Sequence, residues 1–450
     1  YDFCKAIKIR LLRPKEKYSV QQALTKLLSA YYVHAFPLFF TDAYFNIRHD
    51  KYYFFIILTG ILVIAEFLII MTASVDKPPE DSKLEKPKPK HLYEELSFMD
   101  WAFIVFLGIN VISTLLSANP LDALMGTQGR NNGLVLMAFY TAAYFMITRC
   151  FKYFEYIFVA LAFGSMIVFA LAVLNSFYID PLGMFTLLTD QQTITDFTST
   201  IGNKNLLSSY ICIAMPVMIA MSVITKKTLL RAIYLVATGF GFAALMTADS
   251  DSGILGMAVF MVIYLIWFSN SLVRLKRFFL SATVMLLFAK LLRLFSLCFD
   301  DKSKGFDKFQ EFSFSQASAG YCLQLVPLLQ EFCILLITKT NITISKAVPI
   351  ALTVVFGLCA VAMIGIMVYF SCIDTKTDLG SFERIIRFND IWGTHRGFMW
   401  IRSIWIFGDA SFIEKLFGVG PDMFYSAFSP YFDDLLNTVT AQQMPPITNI

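Results

Sequence analysis

Apolar positions in this chain neither alternate nor trace a single helical stripe. They fill whole stretches of about 20 residues, the length a helix needs to cross about 30 Å of hydrocarbon. After the basic opening "KAIKIRLLRPKEK", the first stretch is "LTKLLSAYYVHAFPLFF", short, interrupted by His34 and Pro37 and ending near residue 41. Others follow at 53–73, 101–118, 133–149, 154–175, 205–225, 229–247, 253–270, 278–297, 320–337 and 348–370. The pattern predicts an all-α, polytopic membrane helix bundle of about 11 spans. Polar stretches then divide the chain. Residues 1–26 form a basic cytoplasmic N-terminus and 27–370 a transmembrane bundle, interrupted at 75–98 by a Pro/Lys/Glu-rich linker too poor in apolar residues to fold. Residues 371–450 form one large external loop.

Charge supplies an orientation. With the N-terminus inside, the loops assigned to the cytoplasm hold Arg149 and Lys152, then Lys226, Lys227 and Arg231, then Arg274, Lys276 and Arg277, then Lys339 and Lys346. All are basic, as the positive-inside rule requires. The expected topology places the N-terminus on the cytoplasmic side of the membrane. Composition excludes an ordinary soluble domain: 57% of residues are hydrophobic and 16% charged, against about 25% charged in average proteins. The net charge of +4 is spread in short clusters, so no nucleic-acid partner is expected. Eight cysteines are scattered without a CxxC pair or zinc-like spacing, and no metal site or cofactor is expected. No fixed-period or inverted repeat is visible.

Polar chemistry on the external side gathers in four places. In "GTQGRNNG", Arg130 stands among glycines and asparagines, a loop that either wraps an anionic group or is a plain polar turn. In "TSTIGNKNLLSSY", Gly202, Asn203 and Asn205 open a helix whose free N–H groups suit an anion or a sugar hydroxyl, although capping alone explains one asparagine. In "TADSDSG", Asp249 and Asp251 form a DxD that suits a divalent cation, but two acids capping a helix that begins at Gly253 is the simpler account. The fourth is the long loop, with Arg384, Arg387, Arg396 and Arg402 close together and "GFMWIRSIWIF" too short to span, so that it lies on the membrane surface with its aromatic rings at headgroup depth. "EKLFGVGPDMFYSAF" follows, with a Gly-x-Gly-Pro turn before a helix that starts at Pro421.

Three charges fall inside spans. Such a placement costs about 2.5 to 3.5 kcal/mol on insertion scales and marks a functional suspect. Glu66 either faces the bundle or is paired; Lys290 and Arg293, near the outer end of their span, either bind substrate or snorkel to headgroups.

Taken together, Gly202, Asn203 and Asn205 opening a mid-chain span, Arg396 with Trp400 in the long loop, and Leu416, Phe417, Gly418, Val419, Gly420, Pro421 and Phe424 resemble the O-antigen ligase and Wzy-type polysaccharide polymerase superfamily. The "GTQGRNNG" loop is similar to that family's early external Arg loop, and the resemblance runs from about residue 101 onward. It implies a GT-C-like bundle and a metal-independent, inverting glycosyl transfer at the outer face of the membrane. The donor would be an undecaprenyl-pyrophosphate-linked oligosaccharide or polysaccharide, and the acceptor a sugar hydroxyl on a glycan or lipid. Membrane lipids are the remaining partners. The resemblance places Arg396 and Arg130 on the pyrophosphate, with Asn203 and Asn205 positioning a helix end or a sugar; Arg402, Trp400, Lys290 and Arg293 are the further substrate-binding candidates. The family's base is a His in an A-H-N-x motif later in the loop. The sequence stops at "PPITNI" before any such motif and before a returning span, which predicts a longer chain, inactive in this form, and leaves His395 as the remaining base candidate. The rival reading is a multi-span solute transporter, against which stand the long external loop, the missing repeat symmetry and the few mid-span ionisable groups. A further alternative is a membrane protein whose loop binds a partner domain.

Overall fold

The computed structural model describes residues 33–41, 47–72, 96–127, 130–150, 154–186, 188, 194, 197–296, 345, 347–390, 392–426 and 429. Among them every regular element is helical. In chain order these are α1 (Ile47–Thr72), α2 (Phe98–Leu116), α3 (Pro120–Met125), α4 (Leu134–Cys150), α5 (Tyr156–Ser176), α6 (Lys204–Ile224), α7 (Thr228–Thr247), α8 (Asp251–Phe268), α9 (Leu272–Ser296), α10 (Ala347–Val368), α11 (Glu383–Ile386), α12 (Trp392–Asp409) and α13 (Phe412–Phe417). Seven described helices are long and apolar enough to cross a membrane: α2, α5 to α9, and α10 with its π-helical continuation to Ile373. The chain is therefore a multi-pass helical membrane protein. The expected span 320–337, most of the first one, and most of the 75–98 linker lie outside the described residues.

The chain divides into two compact units, one of residues 1–18, 56–150 and 358–450 and the other of 19–55 and 151–357. The second holds the main core. Phe169 of α5, Ile211, Met215 and Met218 of α6, and Tyr234 and Ala237 of α7 are fully enclosed, with Met257 of α8 and Phe278 and Met285 of α9 closing the cluster. Small residues let these helices approach closely, as expected where lipid supplies no hydrophobic drive between spans. A methyl on Gly241 would meet the Phe169 ring at 3.1 Å and Met215 Sδ at 3.2 Å. Pro37 sits in a short helical turn over 33–38, and the last carbonyls of that turn accept from distant side chains. Lys51 Nζ donates to Phe36 O at 3.0 Å and Pro37 O at 2.9 Å, and Thr200 Oγ1 donates to Pro37 O at 2.8 Å.

In the first unit α2 packs on α3, α4 and α13. Helix α2 starts at Phe98 rather than 101 because Ser97 and Asp100 form a capping box: the Asp100 carboxylate accepts from Ser97 N at 2.8 Å while Ser97 Oγ accepts from Asp100 N at 3.2 Å. That carboxylate, 1% exposed, also takes Tyr144 Oη–H at 3.0 Å and Arg149 Nη2 at 2.6 Å from α4. A buried acid with every acceptor direction filled ties the start of α2 to the end of α4.

Candidate functional site

In the first unit the described residues on either side of the Arg130 loop are tied together by backbone hydrogen bonds. Gly126 (φ +88°) and Asn131 (φ 55°) both adopt left-handed conformations, and the Thr127 carbonyl accepts from Arg130 N at 3.1 Å and Asn131 N at 3.0 Å. The loop is fastened from 295 residues away. Asp422 Oδ2 accepts from Thr127 N and Thr127 Oγ1, each at 2.8 Å, and from Asn132 N at 3.3 Å. Asp422 can reach because the Gly-x-Gly-Pro turn lies on the end of α2. Gly420, at φ +115°, comes so near that an added methyl would stand 2.7 Å from Ser117 Oγ and 3.1 Å from Ala123 Cβ. Positions 421 and 422 continue this turn, so the helix expected to begin at Pro421 does not start there. Two of the expected motifs, the early Arg loop and the Gly-x-Gly-Pro turn, are thus one structure.

The long-loop arginines separate into those engaged by the protein and those that are not. Arg387, 9% exposed, donates to Glu383 Oε1 at 2.9 Å, Phe370 O at 3.2 Å and Thr377 O at 2.6 Å, which stitches α11 to the end of the helix before it. Arg402, also 9% exposed, forks onto both oxygens of Asp390 and lies over the Phe398 ring at 4.0 Å and the Trp405 ring at 5.1 Å. Arg402, expected to bind substrate, is bound by the loop itself. Arg130 and Arg396 differ: both are exposed, and neither guanidinium has a partner among the described residues. Arg396 occupies α12 one turn from Trp392 and one turn from Trp400, on the row that helical spacing of four makes continuous. The two rings lie 5.3 Å apart and Phe388 meets Trp392 edge-on and Trp400 at a tilt, while Trp400 and Trp405 remain more than half exposed. His395 belongs to α12 and Arg384 to α11, but their side chains, like that of Glu66 in α1, lie outside the described residues.

Electrostatics hold this segment's turns in shape. Asp374 is kept below the usual carboxylate range first by the Thr377 hydroxyl, at 2.7 Å, and then by backbone N–H groups of the same turn. Glu414 is lowered likewise by Ser411, which closes the capping box of α13.

In the second unit Gly202 takes the left-handed conformation (φ +86°) that turns the chain into α6, and Asn203 caps that helix, its Oδ1 accepting from Asn205 N at 2.8 Å and Leu206 N at 3.3 Å. Asn205 faces another expected motif. Its Oδ1 accepts from Ser250 Oγ at 3.2 Å, and Ser208 Oγ donates to Ser250 Oγ at 3.0 Å. Gly253 makes the approach possible, since a methyl there would lie 2.6 Å from Ser208 Cβ. The expected capping by Asp249 and Asp251 is corrected: α8 begins at Asp251, Ser250 holds the cap position, and its hydroxyl serves α6 instead. Lys290 and Arg293 stand on the last turns of α9, half-buried; Ala289 and Leu292 beside them pack on Phe177 and Met246 at the ends of α5 and α7. They share the end of the unit that carries Asn203 and Asn205. No group of His, Cys, Asp and Glu suited to a metal ion occurs among the described residues.

Sequence reasoning missed Asp422, the Asp100–Tyr144–Arg149 junction and Lys51. An acid directly after Gly-x-Gly-Pro was the available signal for Asp422. Comparisons with known proteins add no identification: no family model matches the chain, and no curated protein or solved structure does.

Proposed function

We propose that this chain is a membrane glycosyltransferase of the O-antigen ligase or Wzy polymerase type. In this reading about 11 spans form a GT-C-like bundle in the inner membrane with the N-terminus cytoplasmic. It transfers a glycan from an undecaprenyl-pyrophosphate carrier to an acceptor sugar hydroxyl at the outer face. The observation that supports it best is that, in one unit, Arg130 and Arg396 keep exposed guanidinium groups without a partner among the described residues while Arg387 and Arg402 are consumed by the fold.

In-line displacement at the anomeric carbon builds negative charge on the departing pyrophosphate. Arg130 and Arg396 meet that charge with forked, charge-assisted bonds. Removing one such donor from a water-poor site costs about 3 to 4 kcal/mol. Trp392 and Trp400, flanking Arg396, set its depth at the headgroup layer. The acceptor proton needs a base, for which His395 is the candidate.

Gene deletion in the source organism tests the proposal. Accumulated lipid-linked single units indicate a polymerase and accumulated lipid-linked chains a ligase, whereas an unchanged glycan profile removes both and leaves the transporter reading. Complementation with the gene carrying R396K or R130K then separates fork from charge. Lysine variants that restore normal glycan would defeat the assigned roles.

A further inference from the structure

The opposite end of the second unit carries a feature unrelated to those motifs. The α6–α7 turn, the first turn of α7 and the start of α9 bring two arginines onto one backbone oxygen. Arg277 Nη1 donates to Val223 O at 2.7 Å and to Thr225 O at 3.3 Å, and Arg231 Nη2 donates to Thr225 O at 2.9 Å. Each nitrogen lies within 3.3 Å of the same atom, so the two guanidinium groups are separated by no more than twice that distance. Carbonyls at the end of α6 attract a cation, which accounts for one arginine. The second is repelled by the first.

Simple snorkelling into water does not describe the pair. Both residues are half-buried, and Arg231 Nε is enclosed without an acceptor, so this side chain is held in place with its charge partly desolvated. Compensation from within the unit is missing among the described residues. The acid at this end, Glu155, is bonded to Lys227 at 2.6 Å; Asp50 is bonded to Thr41, and Asp180, Asp249 and Asp251 stand at the far ends of their helices. The surroundings add cations instead: Lys226, Lys227 and Arg274 are exposed and Lys276 is half-buried. Each guanidinium has five N–H donors, of which the bonds above engage one nitrogen per residue.

We propose that Arg231 and Arg277 form a binding site for a phosphate group, presented by an anionic phospholipid headgroup or by free phosphate. A tetrahedral phosphate accepts from two forks at once and offsets part of the pair's charge, and the ends of membrane-spanning helices lie at headgroup level. This site stands whether or not the chain transfers glycans.

The test uses purified full chain, with native mass spectrometry after incubation with phosphatidylglycerol or phosphatidylcholine. Wild type should retain phosphatidylglycerol about tenfold more than the R231Q/R277Q double variant, with phosphatidylcholine equal in both. Millimolar inorganic phosphate that displaces the bound lipid shows that the site accepts free phosphate as well; bound lipid that resists displacement assigns it to the headgroup. The K226Q/R274Q variant controls for a diffuse basic face, and if it loses as much phosphatidylglycerol as R231Q/R277Q the proposal fails. Equal retention in wild type and R231Q/R277Q also overturns it. Should the glutamine pair fail to fold, R231K/R277K keeps charge but not forks: reduced retention supports the site, and unchanged retention refutes it.

Discussion

Asp422 links the Arg130 loop to the Gly-x-Gly-Pro turn through one carboxylate oxygen, which makes its removal a sharp test of how Arg130 is held. Two of the three bonds it accepts are short, at 2.8 Å, and the third is longer, at 3.3 Å. Hydrogen bonds to a charged group contribute about 1.5 to 3 kcal/mol each. For a half-buried carboxylate the lower figure applies, so the two short bonds together are worth about 3 kcal/mol. Asp422 has φ 61°, a conformation that costs alanine about 1 kcal/mol more than Asn or Asp. D422A should therefore destabilise the clasp by about 4 kcal/mol. D422N keeps an acceptor oxygen and tolerates the backbone; its neutral bonds are about half as strong, a loss of about 1.5 kcal/mol. The assay is amide hydrogen exchange at Thr127 and Asn132, the two bonded N–H groups. Exchange there should accelerate by about two to three orders of magnitude in D422A and about tenfold in D422N. Unchanged protection of both amides in D422A would refute the clasp.

Other consequences are open to the same kind of measurement. D100N leaves Arg149 and Tyr144 facing an uncharged partner in a site 1% exposed, and should lower unfolding free energy in detergent by about 3 to 5 kcal/mol, with much of that loss shared with R149Q in a double-mutant cycle. Fully additive effects would deny the pairing. G420A should cost about 2 to 3 kcal/mol through its clash with Ser117 and its positive φ, and S117G should rescue only the steric part, read as thermal stability. Because Ser411 holds the Glu414 carboxyl below its ordinary value, the stabilisation is present above the unfolded value of about 4.3 and lost as pH falls through the lower folded value. The stability gap between wild type and E414Q, measured by denaturation across pH, should be present at neutral pH and vanish in acid; a gap independent of pH contradicts the sign.

Much of the architecture was legible because continuous apolar fill is a strong signal: the expected spans at 154–175, 205–225 and 229–247 differ from α5, α6 and α7 by a residue or two. Boundaries moved where local chemistry outranked hydropathy. The capping box of Ser97 and Asp100 starts α2 early, and α9 takes up the polar run from Leu272 because a helix can continue into the headgroup layer. The site was legible as motifs but not as contacts. The pairing of Arg387 with Glu383, four positions before it, could be read from the spacing. Arg402 could not, since its partner Asp390 lies across a turn. Ser250 was hidden between two aspartates that looked like better caps, and only the approach of Ser208 and Asn205 reveals where its hydroxyl goes.

The Asp422 clasp also has a consequence in time. Its partners, Thr127 and Asp422, are 295 residues apart, so at about 5 to 20 residues per second a ribosome takes about 15 to 60 s to deliver the second after the first. Through that interval the Arg130 loop lacks its fastening. A nascent chain is therefore unable to present Arg130 in its final setting until nearly everything between the two has been inserted, and premature termination before Asp422 leaves the loop permanently untied.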